Sequence, residues 1–224
     1  SMEYRANKRA SFSTLEMTKS IANVADRFPV LVKGKDKAGE FFRKNFAGLF
    51  AYVQNRIPEI TDELYKIDDA MCAGYGWEHG PFQIWDAVGV EKGIELMKAE
   101  GYEVADWVAA MLSSGKDSFY TVKEGNTFYY DIPKKEYVKK PGQDGFIILD
   151  NIRQSKEVFK NSGVVVEDLG DGILNVEFRS KMNSIGGDVL SGLNKAIDLA
   201  EKDFAGLVVA NQGKNFSVGA NIGM

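Results

Sequence analysis

Thr61-Asp-Glu-Leu-Tyr-Lys-Ile-Asp-Asp-Ala-Met-Cys-Ala-Gly-Tyr-Gly-Trp-Glu-His-Gly-Pro-Phe-Gln-Ile-Trp-Asp-Ala-Val-Gly-Val90 reads as helix, glycine turn, helix. Thr61 is a suitable N-cap, and Asp62 and Glu63 would then lie in the first turn, where acidic groups favour the helix dipole. Leu64, Ile67 and Met71 recur at helical spacing and predict one buried stripe. Gly74 and Gly76 stop this helix, because glycine takes the left-handed conformation cheaply. Gly80-Pro81 opens the next one, since proline at the first helical position gives up no hydrogen bond. Phe82, Trp85 and Val88 line one face, and Gly89 ends the segment.

Upstream, Asp36 to Asn55 is the strongest helical pattern in the chain. Phe42, Phe46, Leu49, Phe50 and Val53 share one face. Asp36 is placed to cap it, with Glu40 near its start, and Pro58 breaks it. Downstream, Val90 to Glu100 and Val104 to Ser113 predict two more helices, with Gly101 and Gly115 as stops. Their inward residues are Ile94, Met97, Val104, Trp107, Val108 and Met111. Residues 34–118 thus read as an all-helical domain. Residues 1–33 carry a broken apolar stripe (Leu15, Met17, Ile21, Val24, Ala25, Phe28) and read as an arm docked on the next domain. Ser1-Met2 reads as a cloning remnant ahead of a chain that starts mid-protein.

The pattern changes at Phe119. Phe119-Tyr-Thr-Val122 and Thr127-Phe-Tyr-Tyr130 flank a glycine-bearing turn and predict a hairpin. Pro133 to Gly145 is charged and reads as linker, and Phe146 to Asn161 as a connecting segment, so 119–162 is hairpin and linker. From 163 to 224 the order is strand (Val164–Leu169), Gly170-Asp171-Gly172 turn, strand (Ile173–Phe178), helix (Asp188–Phe204) and short apolar strand (Leu207–Ala210). Leu190, Leu193, Ile197 and Ala200 are the expected inner face of that helix. The expected fold class is therefore mixed: an all-α domain, a hairpin and linker, and a partial α/β unit whose sheet needs more partners.

The 224 residues carry a net charge of −4, so no broad basic field exists for nucleic acid. No apolar run approaches the roughly 20 residues of a membrane span. One cysteine, Cys72, excludes an intramolecular disulfide framework and suits the cytoplasm. One cysteine and one histidine, His79, supply no zinc site, and no calcium-loop spacing is present, so no metal is expected. His79, beside Gly80-Pro81, reads as structural. Lys33, Lys35 and Lys37 could meet a phosphate, but a solvated helix start is the simpler reading. Trp77, Phe82, Trp85 and Trp107 read as core. Asp198, Glu201 and Asp203 read as surface charge on their helix.

The segments Ile67-Asp68-Asp69-Ala70-Met71, Gly76-Trp77-Glu78-His79-Gly80-Pro81-Phe82 and Trp85-Asp86-Ala87-Val88-Gly89 resemble the C-terminal helical domain of 3-hydroxyacyl-CoA dehydrogenases. Residues 163–224 resemble the start of the enoyl-CoA hydratase/isomerase (crotonase) family. That match rests on the opening hairpin, on Lys181-Met182-Asn183-Ser184-Ile185, and on Phe216-Ser217-Val218-Gly219-Ala220-Asn221. The two in this order resemble multifunctional β-oxidation proteins. The resemblance implies that the backbone N–H of Ala220 is one of two oxyanion-hole donors. It implies acyl-CoA contact around Asn183, Ser184, Gly219, Ala220, Asn221 and Ile222. Many crotonases carry Asp where this chain has Asn221, which removes a charge there.

The resemblance also says what is missing. No Gly-x-Gly-x-x-Gly turn occurs in the chain, so NAD is implied for the parent protein and no cofactor for this segment. The family's catalytic Ser, His and Glu belong to a dinucleotide-binding domain. Its active-site Asn opens the first long helix, where this chain reads Lys35-Asp36-Lys37-Ala38-Gly39-Glu40. Residues 34–118 therefore resemble the second, non-catalytic helical repeat. The crotonase acid/base groups and second oxyanion donor are expected beyond Met224. The expectations are an acyl-CoA substrate for the parent, the absent domains as covalent partners, possible self-association, and no activity in this fragment. A structural or dimerisation module without ligand binding, presenting Phe42, Phe46 and Phe50, stays open beside it, as does a small acyl-CoA-binding domain.

Overall fold

The computed structural model describes residues 11–153, 155–213 and 215–222. The first ten residues of the expected arm, and Gln154, Lys214, Gly223 and Met224, lie outside them. The chain is mixed helix and sheet, and it divides into two compact units. One comprises the residues up to 121 with 128–139; the other comprises 122–127 and the residues from 140 on.

In the first unit, α1 (Ser13–Thr18) and α2 (Arg27–Lys33) precede the long α3 (Lys37–Gln54). Asp36 caps α3 as expected, its carboxylate accepting from Gly39 N at 3.0 Å. The same carboxylate accepts from the Thr14 amide at 2.9 Å and hydroxyl at 2.8 Å, which ties α1 to the start of α3. α4 (Leu64–Tyr75) begins three residues after Thr61, and Glu63, not Thr61, is its N-cap residue. Thr61 Oγ1 instead accepts from Glu63 N–H at 3.1 Å in the turn ahead of the helix. Gly76 ends α4 at φ +67°, where a side chain would be strained. Pro81 is the first residue of α5 (Pro81–Val88), followed by α6 (Val90–Ala99) and α7 (Asp106–Ser113).

The core runs along the aromatic face of α3. Phe46 stacks on Phe50, and Phe50 stacks on Trp85 with ring centres 4.8 Å apart. Phe119 closes the cluster edge-on against Trp85 and Phe82. This cluster consumes Phe46 and Phe50 inside their own unit, while Phe42 is partly buried against it. Trp77 does not join it: the side chain is 37% exposed. Ile67 and Met71, expected in the buried stripe with Leu64, are only half-buried.

β1 (Tyr120–Lys123) and β2 (Asn126–Asp131) form the expected hairpin. Its turn is Glu124-Gly125, both at positive φ, which matches the twist of a two-residue hairpin loop. A third strand, β3 (Glu136–Lys139), pairs antiparallel with β2, within the stretch expected as linker.

In the second unit α8 (Leu149–Ile152) precedes a four-stranded sheet in the order β4 (Glu157–Lys160), β5 (Val164–Gly170), β6 (Ile173–Phe178), β7 (Gly206–Val209). β4, β5 and β6 are antiparallel, and β6 pairs parallel with β7 through the crossover helix α9 (Gly187–Asp203). The inner face of α9 matches expectation in part: Leu193 and Ala200 pack against the core of the sheet, but Leu190 and Ile197 do not. Val189, Gly192 and Ala196 are buried, while Leu190 is 46% and Ile197 45% exposed. Small residues let the helix approach closely: a Cβ on Gly192 would lie 2.2 Å from a methyl of Val164.

Candidate functional site

The loop after β7 is held by side-chain amides. Past Val209 the ladder is extended by Asn175 on β6, which accepts from Ala210 N–H at 3.0 Å and donates to Ala210 O at 3.3 Å. Asn211 accepts from Phe178 N–H at 2.6 Å and donates to Phe216 O at 2.7 Å. The loop then meets the turn before α9. Asn183 donates to Asn215 O at 2.9 Å, and the Ser217 hydroxyl donates to Asn183 O at 2.6 Å. Ile185 N–H donates to Gly219 O and Asn221 N–H donates to Ile185 O, each at 2.9 Å, which makes a one-residue parallel bridge of Ile185 and Ala220. Two segments thirty-odd positions apart in sequence are thus stitched together, and Asn183, Ser184, Gly219, Ala220 and Asn221 meet there.

This stitching sets the direction of one amide. The Gly219 carbonyl and the Asn221 N–H both turn toward Ile185, so the Ala220 N–H between them turns away, as alternation along extended backbone requires. Among the described residues no acceptor lies on it. Gly219 sits at φ +91°, a conformation that favours glycine, and the space beside it is open. A thioester oxygen could reach the Ala220 amide. Ala220 is exposed, however, and such a donor gains its large effect only in a water-excluded site.

Ser184 and Asn221 also line a cavity of about 340 Å³ with Ser162, Gly163, Gly187 and Asp188 at the start of α9. The helix N-terminus favours anions, but Asp188 already stands in the first turn, bonded to the Ser162 hydroxyl. A bound phosphate would meet that carboxylate. Ile222 is fully exposed.

Two buried acidic clusters had no role in the sequence reading, although Asp68 and Asp86 fall within the segments that carry the dehydrogenase resemblance. On β5 and β6, Glu167 and Glu177 are 0% and 1% exposed. Arg153 forks onto Glu177 at 2.9 and 3.0 Å, and Asn175 donates to Glu167 at 3.0 Å. Burial beside Glu177 raises the Glu167 carboxyl above its ordinary range. In the first unit Asp68 accepts from Phe82 N–H at 2.9 Å, Gln83 N–H at 3.1 Å and the Tyr120 hydroxyl at 2.7 Å. Asp86 accepts from Phe119 N–H at 2.7 Å and Tyr120 N–H at 2.8 Å. Burial pushes Asp68 up to about 6 and Asp86 up to about 7. Both spend their oxygens on backbone donors, which is a bracing arrangement. Asp198, Glu201 and Asp203 are exposed on α9. His79 packs edge-on against Phe28, ring centres 5.8 Å apart. No group of three His, Cys, Asp or Glu residues able to hold a metal occurs among the described residues.

A dinucleotide needs a strand, a glycine-rich turn and a helix N-terminus clear of negative charge. The helix that joins parallel strands here, α9, opens with Asp188.

The chain is 35% identical over its whole length to a Bacillus subtilis (strain 168) protein named "Probable 3-hydroxyacyl-CoA dehydrogenase", of which it covers 28%. It is 26% identical over 189 and 184 residues, 82% of the chain, to proteins of Rickettsia felis and Rickettsia prowazekii. Both are named "Putative fatty acid oxidation complex trifunctional enzyme", and the chain covers 22% of each. The chain thus spans about a quarter of the length of the curated relatives it matches. No protein-family model and no solved structure matches it.

Proposed function

We propose that this chain is a section of a fatty-acid β-oxidation enzyme of the 3-hydroxyacyl-CoA dehydrogenase kind, acting in the cytoplasm. The observation that carries the reading is the similarity to the Bacillus subtilis protein along all 224 residues. In this reading residues 34–118 are a second, non-catalytic helical repeat, and residues 163–224 are the front of a crotonase-like domain. NAD and the dehydrogenase chemistry belong to the rest of the parent protein. The local geometry supports the second assignment. Asn175, Asn211 and Ser217 aim the Ala220 amide outward, and that amide would take the thioester oxygen as negative charge develops on it.

One amide is not a catalyst. Hydration of an enoyl thioester needs a carboxyl or equivalent group to deliver and remove protons. The exposed acids of α9 and the sealed pair Glu167 and Glu177 are unsuited to that task. The 224-residue chain is therefore expected to leave crotonyl-CoA unchanged, with its conjugated thioester absorbance falling no faster than in buffer. Turnover above the buffer rate refutes the reading. A purely structural module is the second reading, favoured by Asp188 in the cavity beside Asn221. Calorimetry with CoA separates the two: heat that disappears on Gly219→Val supports retained ligand recognition, and no heat supports scaffold.

A further inference from the structure

The four-stranded sheet packs Val164, Val166, Leu174 and Val176 against α9, so the alternate residues Glu167, Asn175 and Glu177 stand on its other face. They form a buried polar layer, 0%, 0% and 1% exposed. Glu167 Oε2 accepts from the Asn175 amide at 3.0 Å, while Glu167 Oε1 is buried and meets no donor. Its neighbour is Glu177, whose oxygens already take the Arg153 fork at 2.9 and 3.0 Å and Arg179 at 3.3 Å. An orphaned buried acceptor beside a carboxylate is costly; a proton on Oε1 makes it a donor and gives it Glu177 as acceptor. The surrounding charges do not replace that proton. Arg179 is 41% exposed, and Arg153 is shared with Asp150 of α8. On β4, Glu157 is the register partner of Glu167 and pairs with Lys160 at 3.7 Å, and β7 brings only the uncharged Val208 opposite Asn175. Burial and the Glu177 charge hold the Glu167 carboxyl above its ordinary range.

This layer is wired to the loop that carries the Ala220 amide. Asn175 holds Ala210 at the start of that loop, accepting from its N–H at 3.0 Å. Gln212, two residues on, accepts from Leu149 N–H at 2.8 Å and donates to Ile147 O at 2.5 Å, and so ties the loop to α8, which delivers Arg153. We propose that Glu167 is a positioning residue: it keeps a proton in the folded chain, shares it with Glu177, and through Asn175 and Arg153 seats both α8 and the loop after β7. This holds whether or not the loop receives a thioester. Without the proton, two carboxylates repel each other in a space closed to water, and lifting α8 with Arg153 relieves them. The closed form binds the proton more tightly than the open one, so opening becomes easier as pH rises.

The test is carboxyl-carbon NMR and amide hydrogen exchange on the 224-residue protein. The Glu167 carboxyl, assigned by the loss of its signal in Glu167→Gln, should titrate above about 4.3, the ordinary glutamate value. Protection of the Ala210 and Leu149 amides, corrected for the intrinsic pH dependence of exchange, should fall about tenfold per pH unit between that value and the folded pKa, then level off. Glu167→Gln makes the protonated state permanent, because its amide nitrogen donates toward Glu177 and its oxygen accepts from Asn175. That variant should fold, keep the protection the unsubstituted chain shows at low pH, and lose the slope. Titration of Glu167 at or below the ordinary value overturns the proposal. So does protection independent of pH, which means a merely structural role, a slope that survives Glu167→Gln, or failure of that variant to fold.

Discussion

Asp68 illustrates how a single buried carboxylate can join three elements. It is 1% exposed, and its oxygens receive two amides at the start of α5 and the hydroxyl of Tyr120 on β1. α5 opens with Gly80 and Pro81, which lack a side-chain oxygen to cap it, so an acid from α4 takes the Phe82 and Gln83 amides instead. Asp68→Ala would leave those donors buried and unpaired. At about 1–3 kcal/mol per orphaned group, the expected loss is about 3 kcal/mol or more in urea unfolding. Tyr120→Phe removes one donor and keeps both amide bonds, so its expected cost is near 1 kcal/mol. A result in which Tyr120→Phe costs as much as Asp68→Ala would mean that the hydroxyl, not the two amides, is the tie. In sequence Asp68 stands in the run Ile67-Asp68-Asp69-Ala70-Met71 that carries the dehydrogenase resemblance, but the pattern does not disclose its bracing role, because its partners lie 14 to 52 positions away.

Helices show where sequence patterns carry structural information and where they stop. α3 was legible because its inner face is built from large residues, Phe46, Phe50 and Val53, at helical spacing. α9 was legible as a helix, but its orientation only in part. Leu190 and Ile197 face away, whereas the sheet is met by Val189, Gly192 and Ala196 with Leu193 and Ala200 beside them, because the helix comes closest to β5 at Gly192, where a side chain has no room. Short strands escaped for a related reason. Glu136-Tyr-Val-Lys139 and Glu157-Val-Phe-Lys160 are four-residue strands with charged ends, as sheet edges commonly are, and they read as linker. The stitching of the candidate site was hidden too, since an Asn following a strand does not reveal which amide it will meet. Two substitutions separate the orientations of α9. Leu190→Ala should cost under about 1 kcal/mol, the range for a largely exposed side chain. Gly192→Ala gains about 1 kcal/mol of helix propensity but forces a Cβ to 2.2 Å from Val164, and overpacking of about 1–3 kcal/mol should outweigh the gain. Thermal unfolding by circular dichroism reads both; the reverse order would place Leu190 on the sheet.

At the level of the whole molecule the buried acids give stability an unusual pH dependence. A carboxyl whose folded pKa lies above its unfolded value binds its proton more tightly when folded. Its stabilisation is full at low pH and is lost as pH rises from the unfolded value through the folded one. Asp68 and Asp86, raised to about 6 and about 7, and Glu167, raised by burial beside Glu177, all act in this direction. Asp36 acts in the other: its backbone donors hold it below the ordinary carboxylate range, so its contribution is lost as pH falls below about 4. The two trends cross, and stability should peak near pH 4 to 5 and decline toward pH 7. All three tryptophans, Trp77, Trp85 and Trp107, belong to the helical unit, so their fluorescence reports on that unit alone. Followed this way, the urea midpoint should be higher at pH 4.5 than at pH 7.5, and Asp86→Asn should flatten the slope between them. A midpoint that rises steadily to pH 7.5 would mean that the amides around Asp68 and Asp86 outweigh burial and that both carboxyls are ionised throughout.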